Sequence, residues 1–148
     1  DEAGYEHYEI SNWCRPGMQS RHNTKYWSEC NLFAAGISAR GVYHGMRYEV
    51  SADLRKYVDH GATETRVPLD APAGDRSREG EIMMLAMRRV KGVSWKELAA
   101  WSGRDIREYY RTELEHLVEE NLVETSMVGI RPTRQGILMN DSVALRFF

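Results

Sequence analysis

The chain has 148 residues with 20 basic and 22 acidic side chains, a net charge of −2 and an apolar fraction of 42%. That length suits one ordinary domain or two small ones, and the balanced charge speaks against a partner held by bulk electrostatics, as nucleic acids and membrane surfaces are. No apolar run approaches the roughly 20 residues of a membrane-spanning helix, and no basic-then-apolar signal opens the chain, so a cytoplasmic protein is expected.

The chain begins on Asp1-Glu2-Ala3-Gly4-Tyr5 without an initiator Met and runs almost at once into a strand-like stretch, as an excised fragment would. From Tyr5 to Trp13 it is aromatic and partly alternating, which predicts a strand with one buried face; Arg15-Pro16-Gly17 ends it. Next comes Arg21-His22-Asn23-Thr24-Lys25-Tyr26-Trp27, predicted as a loop or short helical turn. It gathers an imidazole, a carboxamide, two aromatic rings and two cations into seven residues. Leu32 to Ile37 reads as a short buried strand and Val42 to Tyr48 as a hairpin turning at His44-Gly45. Ser51 is placed to cap a helix carrying Leu54, Tyr57 and Val58 on one face, with Gly61 to stop it. Between Gly61 and Gly80 the composition shifts to Thr, Pro, Asp, Gly and Arg without periodicity, the best linker in the chain.

Beyond the linker the pattern is helical. Ile82, Leu85, Ala86 and Val90 line one face of a helix closed by Gly92. Ser94 and Glu97 form a capping-box signature for a second helix that ends near Gly103. Asp105 starts a third with Ile106, Tyr110, Leu114, Leu117 and Val118 on its apolar face. A hairpin is expected from Leu122 through Gly129 to Pro132, and a last helix from Thr133 to Phe148 that returns Val143, Leu145 and Phe148 to the core. Three helices and a hairpin make a winged-helix-like unit.

With these residues laid out, the chain resembles the C-terminal half of the oxygen-independent coproporphyrinogen III oxidase-like radical-SAM proteins, and within them the haem-chaperone branch. Gly4-Tyr5-Glu6-His7-Tyr8-Glu9-Ile10-Ser11-Asn12 is similar to that family's GYxxYEISN segment, and His22-Asn23-Thr24-Lys25-Tyr26-Trp27 to the HNxxYW motif of the haem-chaperone branch. Glu81 to Arg88 with Gly92, and Thr133-Arg134-Gln135-Gly136 with Asn140 and Val143, resemble the family's C-terminal domain. Ile37-Ser38-Ala39-Arg40 departs from a usual glycine-alanine run. The family's radical chemistry depends on a CxxxCxxC motif that binds a [4Fe-4S] cluster beside S-adenosylmethionine; this sequence contains no such triplet, so the cluster and S-adenosylmethionine belong to a full-length parent and no radical catalysis is assigned here.

On this resemblance the cofactor-binding residues are His22, Asn23, Tyr26 and Trp27. His22 would be an axial ligand to haem iron, the imidazole being a standard iron donor; read from the residues alone, a histidine hydrogen-bonded in a loop is the commoner case, and it is the resemblance that brings the ligand reading level with it. Tyr26 and Trp27 would lie against the macrocycle, with Arg21 and Lys25 toward its propionates. Asn23 either orients His22 through a hydrogen bond or serves a turn or cap. A zinc site from His7, Cys14, His22 and Cys30 has suitable atoms but not the paired spacing of structural zinc. The tyrosines and glutamates of the first strand either touch S-adenosylmethionine or substrate in a complete barrel, or serve sheet packing.

The expected fold is α+β. Residues 1–60 would form the closing edge of a partial radical-SAM (β/α) barrel, 61–78 a linker, and 79–148 a small helical, winged-helix-like domain. The implied function is haem binding and delivery, with haem and haem-accepting proteins as partners. Two alternatives stand beside it. One is the non-catalytic part of a true coproporphyrinogen dehydrogenase. The other is a winged-helix DNA-binding regulator using Arg104, Arg107 and Arg111, although Asp105, Glu108, Glu113, Glu115, Glu119 and Glu120 on the same helix would repel phosphate.

Overall fold

The first aromatic stretch folds back on itself. In the computed structural model, which describes residues 3–28, 31–44, 46–61, 64–68 and 77–148, strands β1 (Glu6–Glu9) and β2 (Asn12–Cys14) pair antiparallel. The single strand expected from Tyr5 to Trp13 is therefore a hairpin. Its turn is closed by the Glu9 carboxylate, which accepts from Ser11 N–H at 3.0 Å and from the Asn12 side-chain amide. Across the strands the rings of His7 and Trp13 stack at 4.1 Å, nearly parallel. Helix α1 (Arg21–Tyr26) follows.

The described residues up to Ser28 belong with those from Ser77 onward, and those between 31 and 68 form a second unit. In that second unit β3 (Arg40–Tyr43) and β4 (Met46–Val50) make the expected hairpin, with His44 at φ 49° in its turn; Gly45 lies outside the described residues. Helix α2 (Leu54–His60) is capped by Asp53, two residues later than expected, because the Ser51 hydroxyl instead accepts from Asp53 N–H. Its Leu54 and Val58 are exposed rather than core-facing.

Strand β5 (Glu64–Pro68) adds to β4, giving the order β3-β4-β5, so part of the stretch expected as a linker is strand. Pro72 and its neighbours lie outside the described residues. Leu32 to Ile37 is not the buried strand expected. Leu32 makes one bridge to Val42, Phe33 and Ile37 are exposed, and the segment is tied down by Tyr48, whose hydroxyl accepts from Ala34 N–H at 2.7 Å and donates to Ala34 O at 3.0 Å. A side chain at Gly41 would strike the Tyr48 ring, which explains why glycine stands opposite it.

Helix α3 (Ser77–Ala86) opens the larger unit's core, burying Ile82, Met83 and Ala86 and leading to buried Met87. Gly92, at φ 77° and against the Ile130 carbonyl, turns the chain into the short β6 (Val93–Ser94). Both halves of the capping box start α4 (Trp95–Ser102): Ser94 Oγ accepts from Glu97 N–H, and the Glu97 carboxylate accepts from Ser94 N–H. Gly103 closes it in the left-handed conformation.

The third helix is broken at Tyr110 into α5 (Ile106–Tyr109) and α6 (Arg111–Glu119), yet Ile106, Tyr110, Leu114 and Leu117 all reach the core. Val118 does not; it is exposed. Strands β7 (Val123–Thr125) and β8 (Gly129–Pro132) form the expected hairpin, and β6 joins it in the order β6-β8-β7.

The last helix is two, α7 (Arg134–Leu138) and α8 (Asn140–Leu145), with Met139 between them out of helical geometry. That interruption resets the helical phase. Val143 is buried as expected, but Leu145 and Phe148 face outward, and Phe147 fills the core instead, its ring edge-on to Tyr110 at 5.1 Å. Full burial of each such side chain is worth about 1.5–3 kcal/mol, which makes this cluster the unit's main source of cohesion.

Candidate functional site

Helix α1 forms because Ser20 caps it. The Ser20 hydroxyl accepts from Asn23 N–H at 3.2 Å and Thr24 Oγ1 donates to Ser20 O at 2.8 Å, which ties the first turn together from both sides. None of its residues is buried. Residues four apart share a helix face, and this places the His22 and Tyr26 rings edge-to-face at 5.1 Å. His22 and Tyr26 are both exposed, so the pair stands open to an approaching molecule. Arg21 and Lys25 are exposed on the same short helix.

Trp27 takes a different direction. Its ring is half-buried beneath the Arg88 guanidinium, whose central carbon sits 4.2 Å from the ring centroid. Arg88 in turn lies 3.6 Å from the Glu9 carboxylate, and Glu9 is only 1% exposed. The seven-residue cluster thus divides into an outward pair, His22 and Tyr26, and an inward anchor, Trp27. Asn23 gives its backbone amide to the cap, and among the described residues no hydrogen bond joins its side chain to His22.

The hairpin and the helical core meet through backbone as well. Ile10 N–H donates to Arg88 O at 3.1 Å, Val90 N–H donates to Tyr8 O at 3.3 Å, and Glu9 bridges Arg89. Glu6 pairs with Lys91 at 3.5 Å. These glutamates of the first strand are therefore occupied within the protein. The sequence offers Glu9, with the other first-strand glutamates, to S-adenosylmethionine, substrate or sheet packing, and offers Arg88 no role; their pairing has no signal beyond both standing in motif positions, since nothing local tells that residues 79 apart in the chain will touch.

Among the described residues no group of three or more His, Cys, Asp or Glu side chains is placed to hold a metal ion. His7 is engaged with Trp13 and donates from Nε2 to Ile10 O, and Cys30 lies outside the described residues. An iron–sulfur cluster needs several thiolates. The chain has two cysteines, and Cys14 is buried in the hairpin, so the residues present do not fit a cluster and no cluster chemistry is assigned to them.

The three arginines weighed as DNA contacts are all engaged. Arg104 pairs with buried Glu79 at 2.9 Å, Arg107 with Asp105 at 2.9 Å, and Arg111 with Glu108 at 3.5 Å. Asp105 is held below the usual carboxylate range by its Arg107 hydrogen bond, and Arg107 is raised by the same partner.

Residues 80–139 match the HemN C-terminal domain. The structure resembles coproporphyrinogen III oxidase (HemN) from Escherichia coli, a radical-SAM enzyme, with a TM-score of 0.65 over 99% of this chain and 37% of that one; at 14% identity this is a likeness of fold. The fold and motifs together define the C-terminal part of a radical-SAM protein of the HemN-like class.

Within that class the chain is 51% identical, over 95% of its length, to the haem chaperone HemW of Mycobacterium tuberculosis, and 32% identical, again over 95%, to HemW of Bacillus subtilis. It spans 34% and 37% of those two proteins, about a third of each. The chain belongs to the HemW/HemN-like radical-SAM proteins and corresponds to their C-terminal portion.

Proposed function

We propose that this chain carries the haem-docking part of a HemW-like haem chaperone. One observation carries the reading: His22 and Tyr26 form an exposed, edge-to-face ring pair on one face of α1, with an imidazole open to an incoming iron. Haem is the cargo, not a resident cofactor. His22 would supply the axial nitrogen, Tyr26 a flat apolar contact for the macrocycle, and Arg21 and Lys25 charge for the propionates. Asn23 lies beside the ligand on the helix. Trp27 serves as the anchor of the motif, not as a wall of the site.

In this reading residues 1–60 together with strand β5 supply the closing edge of a partial barrel, the rest of 61–78 a linker, and 79–148 a winged-helix-like support domain. The protein works in the cytoplasm and hands haem to accepting proteins. A [4Fe-4S] cluster and S-adenosylmethionine would be held by other parts of a full-length protein.

The DNA-binding reading is not favoured, because the arginines it needs already have carboxylate partners and α6 adds Glu113, Glu115 and Glu119. Parallel titrations with haemin and with duplex DNA at physiological ionic strength separate the two. Saturable haemin binding without DNA binding is the expected result. DNA binding that falls steeply with added salt, with haemin ignored, would overturn the proposal.

A further inference from the structure

The buried side-chain polar atoms left without a hydrogen-bond partner among the described residues are Glu9 Oε2, Trp27 Nε1 and Arg88 Nε. They belong to three residues that touch in series: Glu9 to Arg88 at 3.6 Å, and Arg88 over Trp27 at 4.2 Å. One such atom is unremarkable in a protein; three on one chain of contacts is a concentration. A buried polar atom without a hydrogen bond carries a desolvation cost that an apolar side chain would not. A buried charge beside a cation–π stack is also a costly way to fill space that apolar side chains fill at no such penalty.

Local departures of this kind mark positions held for function. What this cluster holds is the end of α1. The helix buries nothing of its own, and Trp27, its C-cap residue, is fixed by Arg88. Arg88 is fixed in turn by Glu9 and by its own carbonyl, which accepts from Ile10 N–H.

We propose that Arg88 and Glu9 are positioning residues for the motif helix, acting through Trp27, and that they set the direction in which His22 and Tyr26 face. This rests on the haem-docking reading for its consequence but not for its geometry. Arg88 does this through its planar guanidinium, which a lysine does not reproduce over an aromatic face.

The test uses the protein labelled with 15N. The indole N–H resonance of Trp27 is identified by its loss in Trp27→Phe, and it is followed in Arg88→Met, Arg88→Lys and Glu9→Gln, with haemin affinity measured on each. The expected result is a shifted Trp27 indole in all three variants, the other three indoles staying in place, and haemin affinity lowered about tenfold in both Arg88 variants. Far-ultraviolet circular dichroism checks that each variant is folded, and the Glu9→Gln change, which keeps shape, serves if Arg88→Met does not fold.

An unmoved Trp27 indole overturns the inference whatever haemin does. So does wild-type haemin affinity in the Arg88 variants. If the wild type ignores haemin, the haem-docking reading fails, while the indole shifts still decide whether Arg88 and Glu9 position α1.

Discussion

Asn140, on the last helix, donates its side-chain amide to the Met87 carbonyl oxygen at 3.0 Å, with both residues buried. Met87 follows directly on α3, where the backbone leaves helical geometry and its carbonyl has no helical partner to serve. The bond therefore ties α8 to the segment that also carries Arg88. Replacing Asn140 with Ala leaves that carbonyl buried and unpaired, which should cost about 1–3 kcal/mol. Urea unfolding should show a lower midpoint with an unchanged slope. An unchanged midpoint would show that the carbonyl finds another partner.

Tyr48 makes a comparable tie inside the second unit. Its hydroxyl serves both the amide and the carbonyl of Ala34, so Tyr48→Phe removes two hydrogen bonds while keeping the ring that packs on Gly41. The loss should be about 1–3 kcal/mol, felt locally in residues 31–44. Amide hydrogen exchange at Ala34 should accelerate by at least tenfold, while that of Leu117 in the other unit stays the same. Equal exchange at Ala34 in both proteins would contradict the assignment.

The capping box gives α4 a pH dependence of known sign. Backbone and hydroxyl hydrogen bonds from Ser94, with help from Arg89, hold the Glu97 carboxyl below its ordinary value. A carboxylate whose folded value is lowered contributes stability that is fully present above the unfolded value, near 4.3 for Glu. That contribution is lost as pH falls through the lowered folded value. The stability gap between wild type and Glu97→Gln should accordingly be constant from about pH 7 to 5 and shrink toward about pH 3. Ser94→Ala should cost about 1 kcal/mol at neutral pH. Urea midpoints across that range check both, and a gap that widens on acidification would reverse the sign.

Local chemistry made much of this fold readable from sequence. The Ser94–Glu97 box, the Asp105 cap, Gly61 and Gly103 as stops, and the β7–β8 hairpin all rest on interactions within a few residues, and each stands where the pattern puts it. Failures came where distant partners decide. The stretch from Leu32 to Ile37 has strand composition but is held as a loop by Tyr48, and Leu145 and Phe148 lose the core to Phe147 because Met139 resets the phase of the last helix. Helix α1 could be placed as a dense cluster but not divided. That Trp27 turns inward while His22 and Tyr26 turn outward depends on Arg88, which stands 61 residues beyond Trp27, and no local pattern signals that contact.

In the proposed function His22, on the exposed helix α1, takes the iron of haem. Titrating haemin into wild type and His22→Ala while following the Soret band decides whether it does. Because His22 is exposed and contributes no core packing, the variant should fold normally. The expected result is a shifted Soret band on wild-type binding, with the shift lost and affinity lowered at least tenfold in His22→Ala. An unchanged spectrum and affinity in the variant would show that His22 does not bind the iron.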